Sequence, residues 1–286
     1  MKASLRKFCF AVIGVIASGN VATAATYSID PTSSLTLSGN LNVEITAAIP
    51  NSPVVTGSGN LAEQSPGSLH TTLSGFINAN AAGGILSFPG GSSITALPSG
   101  TYDPQPSPAA FGFQLTIPLT STSVADVGTI RLFGDIRDLA FDISGNVPLT
   151  GNTFDPGGLS LISKGGTVDL HGFFCNPGVT DLANCNNFGT TSSPLDDGNG
   201  PDLLPSGTAS FTGQTLSMPL TISDPGDETN QQTITIGGIP VQVTTRLTGN
   251  FKVDGNVFAA VPEPAAWLAL CLGLLGFAVI ARRGKT

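Results

Sequence analysis

The stretch that decides the fold is Leu35-Thr36-Leu37-Ser38-Gly39-Asn40-Leu41-Asn42-Val43-Glu44-Ile45, in which apolar residues take every second position and polar ones the rest. A side-chain period of two belongs to a strand with one buried and one wet face. The pattern returns near the other end of the chain. There Val241, Val243, Leu247, Phe251 and Val253 alternate with Gln242, Thr244, Arg246, Thr248, Asn250 and Lys252.

The two stretches share a phrase, Leu37-Ser38-Gly39-Asn40-Leu41 and Leu247-Thr248-Gly249-Asn250-Phe251. Looser copies stand at Leu73-Ser74-Gly75-Phe76-Ile77 and Ile143-Ser144-Gly145-Asn146-Val147. Glycine weakens a strand interior, so its recurrence points to bulges or bends where a sheet coils or closes. The spacing hints at an internal repeat.

Further strands are expected at 113–119, 129–133, 159–163, 208–212, 216–222 and 233–236, separated by turn-forming clusters of Gly, Pro, Asn, Asp and Ser. The Pro-rich stretch 97–108 and the stretch 190–206 read as exposed loops. The middle of the chain shows no capped helical period. The fold class is therefore all-β, a sandwich or a coiled, barrel-like antiparallel sheet.

Both ends are different in kind. Lys2, Arg6 and Lys7 precede an apolar run from Phe8 to Ala17, and Ala22-Thr23-Ala24 offers a small-residue cleavage site, the three parts of a secretory signal over residues 1–24. At the other end Val261-Pro262-Glu263-Pro264 leads into the apolar run 265–281 and stops at Arg282-Arg283. Seventeen apolar residues make a helix about 25 Å long, enough to cross a thin bilayer. The basic end stays cytoplasmic, which leaves the body outside.

With the ends set aside, residues 25–260 form one exported β domain. Eighteen of the 19 acidic residues but only five of the 11 basic ones fall in it, so its net charge is −13 against −8 for the whole chain. Such a surface repels phosphate backbones and anionic lipid alike, which argues against nucleic acid binding and against binding to a membrane surface. Only Cys175 and Cys185 lie in this body, and in an oxidising compartment they pair.

Catalytic chemistry finds little footing. His70 and His171 are the only histidines, and no serine elbow accompanies them. Asp169 and His171 share a strand face, which is an ordinary surface pair. Asp135, Asp138 and Asp142 would need to converge to act as paired carboxylates. The loop Asp196-Asp197-Gly198-Asn199-Gly200-Pro201-Asp202 concentrates the hard oxygen ligands calcium favours, from Asp196, Asp197, Asn199 and Asp202, without EF-hand spacing. A weaker acidic turn follows at Asp224, Asp227 and Glu228. Calcium is the one metal these residues suit, and no other cofactor is expected.

The tail resembles the PEP-CTERM sorting signal of Gram-negative bacteria. Pro262, Glu263 and Pro264 match its motif, the Leu- and Gly-rich run 265–281 its helix, and Arg282 and Arg283 its basic stop. Ala265 and Ala266 stand where the family often has Ser or Thr. The resemblance implies an exosortase and the secretion machinery as partners, transient residence in the inner membrane, cleavage near the motif, and release to the cell surface or an exopolysaccharide matrix. The chain is thus expected to be a non-enzymatic exported protein. A calcium- or glycan-binding module and a secreted hydrolase are the alternatives.

Overall fold

The computed structural model describes residues 25–49, 52–195, 202–224, 227–236 and 239–262. It is all-β, as the alternation requires, and every strand pairing is antiparallel. The chain opens with β1 (Ala25–Ile29), β2 (Ser34–Ala47), β3 (Val55–Asn60), β4 (Ala62–Glu63), β5 (His70–Ala82), β6 (Ile85–Pro89) and β7 (Ser93–Ala96). A small hairpin, β8 (Gly100–Tyr102) and β9 (Gln105–Ala109), precedes β10 (Phe111–Ser121) and the long β11 (Gly128–Thr150). Then come β12 (Thr153–Phe154), β13 (Ser160–Cys175), β14 (Asn186–Pro194), β15 (Asp202–Leu203), β16 (Ala209–Phe211), β17 (Thr215–Asp224), β18 (Asp227–Ile236) and β19 (Ile239–Ala260).

The sheet closes on itself. From β11 the pairing runs through β6, β5, β1, β19, β17, β16 and β12 and returns to β11, an eight-stranded ring. Its inward positions alternate as the sequence pattern demands and fill the ring with Tyr27, Ile77, Phe88, Val147, Phe211 and Val257. Tyr27 meets Phe211 edge-on at 5.7 Å, and Phe88 meets Phe154 at 6.2 Å. A second closed path uses β11, β10, β3, β2, β5 and β7, around Leu35, Leu73, Ile94 and Phe111. Of the expected alternatives, the barrel-like sheet is the one found.

Two strands tie these paths together. The 23 residues of β11 and the 22 of β19 each run about 70 Å of contour at 3.3 Å per residue. On one edge β11 pairs first with β10 and then with β7 and β6, and the switch coincides with a register shift between Arg137 and Ala140. β13, β14 and β18 extend the sheet beyond the ring.

The shared phrase has a physical use. Residues 37–43 pair with residues 253–247, so the two copies lie on each other with Asn40 opposite Asn250. Gly39 faces Phe251, and a Cβ there would sit 2.7 Å from Asn250 O and 3.0 Å from the Phe251 ring. The looser copies mark bends instead. Gly75 has φ +110° and Gly145 φ +128°, and a Cβ on Gly75 would fall 1.9 Å from Ser93 O. The strand expected at 129–133 continues to Thr150, and that at 159–163 to Cys175. Two expected loops are corrected: 97–108 holds the β8–β9 hairpin, and 190–194 belongs to β14. β9 carries Pro106 and Pro108 and β14 is exposed along its whole length, so neither shows the alternation of apolar residues that marks a half-buried strand. The signal segment and the expected tail helix lie outside the described residues.

Candidate functional site

The last strand leads straight into the tail motif. Ala259 is buried and pairs with Ile29 of β1 and Leu216 of β17, and Ala260 pairs with Ser28 and Thr215. One residue further, the Val261 N–H donates to Gln214 O at 2.8 Å and its side chain packs on the core. Pro262 is exposed. No linker separates the sheet from the motif. Glu263, Pro264, Arg282 and Arg283 lie outside the described residues, as do Ala22 and Ala24. At the other end of the described chain, Ala25 of β1 lies opposite Ala79 of β5. Because β1 and β19 are antiparallel and pair Ser28 with Ala260, residues 25 and 262 leave the ring at the same rim.

Cys175 and Cys185 form a disulfide, with Cα atoms 4.4 Å apart. The closed loop contains a 3₁₀ turn, Leu182–Asn184, whose entry is capped by Asp181 accepting from Ala183 N–H. It lies at the end of the molecule away from that rim, where Cys175 pairs with Thr129.

The calcium loop fares differently. Asp196, Asp197 and Asn199 lie outside the described residues, and of Asp202 only the backbone is placed, in β15 opposite Leu161. In the second acidic turn Asp227 is held by the Arg246 guanidinium through bonds of 2.9 and 2.7 Å, which lowers its pKa. Among the described residues no three acidic, His or Cys side chains are grouped to hold a metal ion.

His70, His171 and Asp142, singled out by the sequence, each have their own partner. His70 Nδ1 lies 2.9 Å from Thr36 Oγ1 across the β2–β5 pair. His171 Nε2 lies 2.9 Å from Asn187 Oδ1, and its ring lies tilted against Phe173 with the centroids 4.4 Å apart. Asp169 turns to Arg137 instead of His171. Asp142 accepts from the Gly91 and Ser92 amides at 3.0 and 2.8 Å and lies 3.7 Å from Lys164 Nζ. Asp138 occupies the β11 irregularity at φ +53°.

One cluster was not foreseen. Asp135 on β11 pairs in register with Asp169 on β13, and both are fully buried. A single guanidinium serves them: Arg137 Nη2 donates to Asp169 Oδ2, and Nε lies 3.0 Å from Asp135 Oδ1. The β8–β9 hairpin covers the group, giving Asp135 Oδ2 the Gln105 N–H at 3.3 Å and accepting from Arg137 Nη1 at Ser107 Oγ, 3.0 Å away. Burial first, and the neighbouring Asp169 second, push the Asp135 pKa up, with Arg137 and the Gln105 amide opposing. Asp135 and Arg137 stand two apart on one strand, which sequence shows; the register that brings Asp169 opposite was not legible.

The outer face of β2, β3, β10 and β19 also forms an open polar trough of about 520 Å³. Asn42, Glu44, Thr56, Ser58, Thr120 and Arg246 line it.

No curated protein matches the chain. Among solved structures, it is similar to the secretin InvG of the Salmonella SPI-1 type III secretion injectisome, at 12% identity over 96% of this chain and 76% of that one, with a TM-score of 0.18. It is likewise similar to the type II secretion secretin XcpQ from Pseudomonas aeruginosa, at 11% identity over 98% and 69% of the two chains, TM-score 0.19. A deltaS2 mutant of the monoaromatic hydrocarbon channel TodX gives 8% identity over 82% and 90%, TM-score 0.16. Superpositions this loose carry no argument about fold or function. The tail is another matter: the family model of the PEP-CTERM protein-sorting motif matches residues 260–283, beginning on the final paired residue of β19. The chain therefore carries a PEP-CTERM protein-sorting motif at its C-terminal tail, which implies an exported protein, membrane-anchored before cleavage and sorted by an exosortase.

Proposed function

We propose that this chain is a non-enzymatic structural or interaction protein of the cell surface or the exopolysaccharide matrix. The observation that carries the reading is the join between body and tail. The motif begins where the barrel's last strand ends, so cleavage there frees a complete, self-closed domain and leaves no ragged segment behind. The disulfide fits an oxidising destination. The acids and histidines that could have served catalysis are engaged structurally: Asp169 by Arg137, His171 by Asn187, and Asp142 by two backbone amides.

A second reading, recognition of a matrix glycan, is favoured by the polar trough, whose hydroxyl, amide and charged groups suit hydroxyl-rich ligands. Calcium binding by the 196–202 loop is the third; a calcium titration that leaves the melting temperature unchanged removes it.

Fractionation of cells with and without the exosortase tests the main proposal. The protein is expected in the matrix or surface fraction of normal cells and in the inner membrane of cells lacking the enzyme. Recovery in the inner membrane of both, or hydrolysis of matrix polymer by the purified protein, overturns it.

A further inference from the structure

We infer that, before cleavage, the body stands on the rim from which residues 25 and 262 emerge, with this rim against the outer leaflet of the inner membrane and its long strands rising away from it. The inference rests on the tail acting as a membrane anchor, and not on what the released protein does in the matrix.

Three observations combine. First, the eight-stranded ring ends at one rim in the turns between β5 and β6, β11 and β12, and β16 and β17, and both chain exits lie there. Second, the leash is short. Val261 is sewn to Gln214 and the apolar run starts at Ala265, so only residues 262–264 intervene, roughly 10 Å at full extension. A rim held that close to the hydrocarbon lies at headgroup depth. Third, the described turns of the rim carry no charged side chain in a body of net −13. Its turns read Gly-Gly at 83–84, Gly-Asn at 151–152 and Thr-Gly-Gln at 212–214, followed by the half-exposed Ile85. An anionic leaflet repels acidic surface, and these turns carry no acid, Glu263 of the leash being the one acid next to them in sequence. At the opposite end Asp126 and Asp181 lie in or beside the turns.

The rim's own apolar area is small, so the tether and not partitioning holds it down. The consequence is polarity: the disulfide loop and the β2–β3 and β10–β11 turns point outward while the protein is anchored.

The test uses tryptophan emission. Trp267 is the only tryptophan and lies in the tail. In the full chain carrying Trp267→Phe, one tryptophan is introduced at a time: Asn152→Trp or Gln214→Trp on the rim, and Thr122→Trp at the far end, all exposed turn positions. Each is reconstituted into phosphatidylcholine vesicles with and without bromine-labelled acyl chains, after thermal melting shows the fold is kept. Both rim tryptophans are expected to lose most of their emission to the brominated lipid, and the Thr122→Trp protein to keep it. Unquenched rim positions overturn the inference, and so does quenching of all three, which is the signature of a body lying on its side. Vesicles contain no exosortase or matrix, so neither result depends on the role proposed for the released protein.

Discussion

Replacing Asp135 by asparagine should stabilise this protein at neutral pH, although it removes a buried ion-pair partner. Asp135 and Asp169 face each other across β11 and β13 with no exposure, and one Arg137 guanidinium serves both. When both carboxylates are ionised the cluster holds one uncompensated buried negative charge, and Asp169 Oδ1 has no hydrogen-bond partner. Asparagine removes the excess charge; its N–H₂ group takes the place of one oxygen now facing Arg137 Nε or the Gln105 N–H and can donate to Asp169 Oδ1 instead. The hydrogen bond gained at Asp169 offsets the acceptor lost to that donor, so the gain comes from removing the excess buried charge and is about 1 kcal/mol, near 3 °C in melting temperature for a domain of this size.

The pH dependence fixes the mechanism. Burial and Asp169 raise the Asp135 pKa, so the folded state binds more protons than the unfolded state between the unfolded value, about 3.9, and the higher folded one. Stability of the parent protein attributable to this group falls as pH rises through that window. The advantage of Asp135→Asn is therefore largest above the folded pKa and vanishes below the unfolded one. Urea denaturation of both proteins from pH 4 to pH 8 measures it. A variant less stable than the parent at pH 8, or one whose advantage grows on acidification, would refute the reasoning.

Arg137→Met, in contrast, leaves two facing carboxylates without their cation and should cost about 3 to 5 kcal/mol at pH 7, with part of the loss recovered at pH 4, in the same denaturation series. Replacing Cys175 and Cys185 by serine reopens a loop with a sequence separation of 10 and should lower stability by about 2 to 3 kcal/mol, a difference that reductant abolishes. Gly75→Ala forces a Cβ to within 1.9 Å of Ser93 O at φ +110°, and a loss of about 3 kcal/mol or more is expected from thermal melting.

Much of this architecture was legible because burial and strand period coincide. Leu35, Leu37 and Val43 are buried as their alternation with Thr36, Ser38 and Asn42 demands, and β17 and β19 follow the same logic. The repeated Ser/Thr-Gly phrase was visible too, but its meaning was not. Two of its copies pair with each other and two bend the sheet, a distinction set by register between residues about 210 positions apart. β11 was foreshortened because Gly134, the Arg137–Ala140 irregularity and Gly145 interrupt the apolar period, even though the strand continues through all of them. The buried cluster escaped for the same reason: Asp135, Arg137 and Asp169 look like solvated charges until a hairpin expected as a loop is laid over them. Sorting, in contrast, is written locally in Pro262, Glu263, Pro264 and the run behind them, so it needs no tertiary information.

Intact-mass measurement of the mature chain, from cells with the exosortase and from cells without it, tests the central claim most directly. The account predicts that the signal is absent in both, that residues 265–286 are missing only when the enzyme is present, and that the shortened protein keeps the Cys175–Cys185 bridge. Retention of residues 265–286 in both preparations would contradict it and leave a permanently tail-anchored protein.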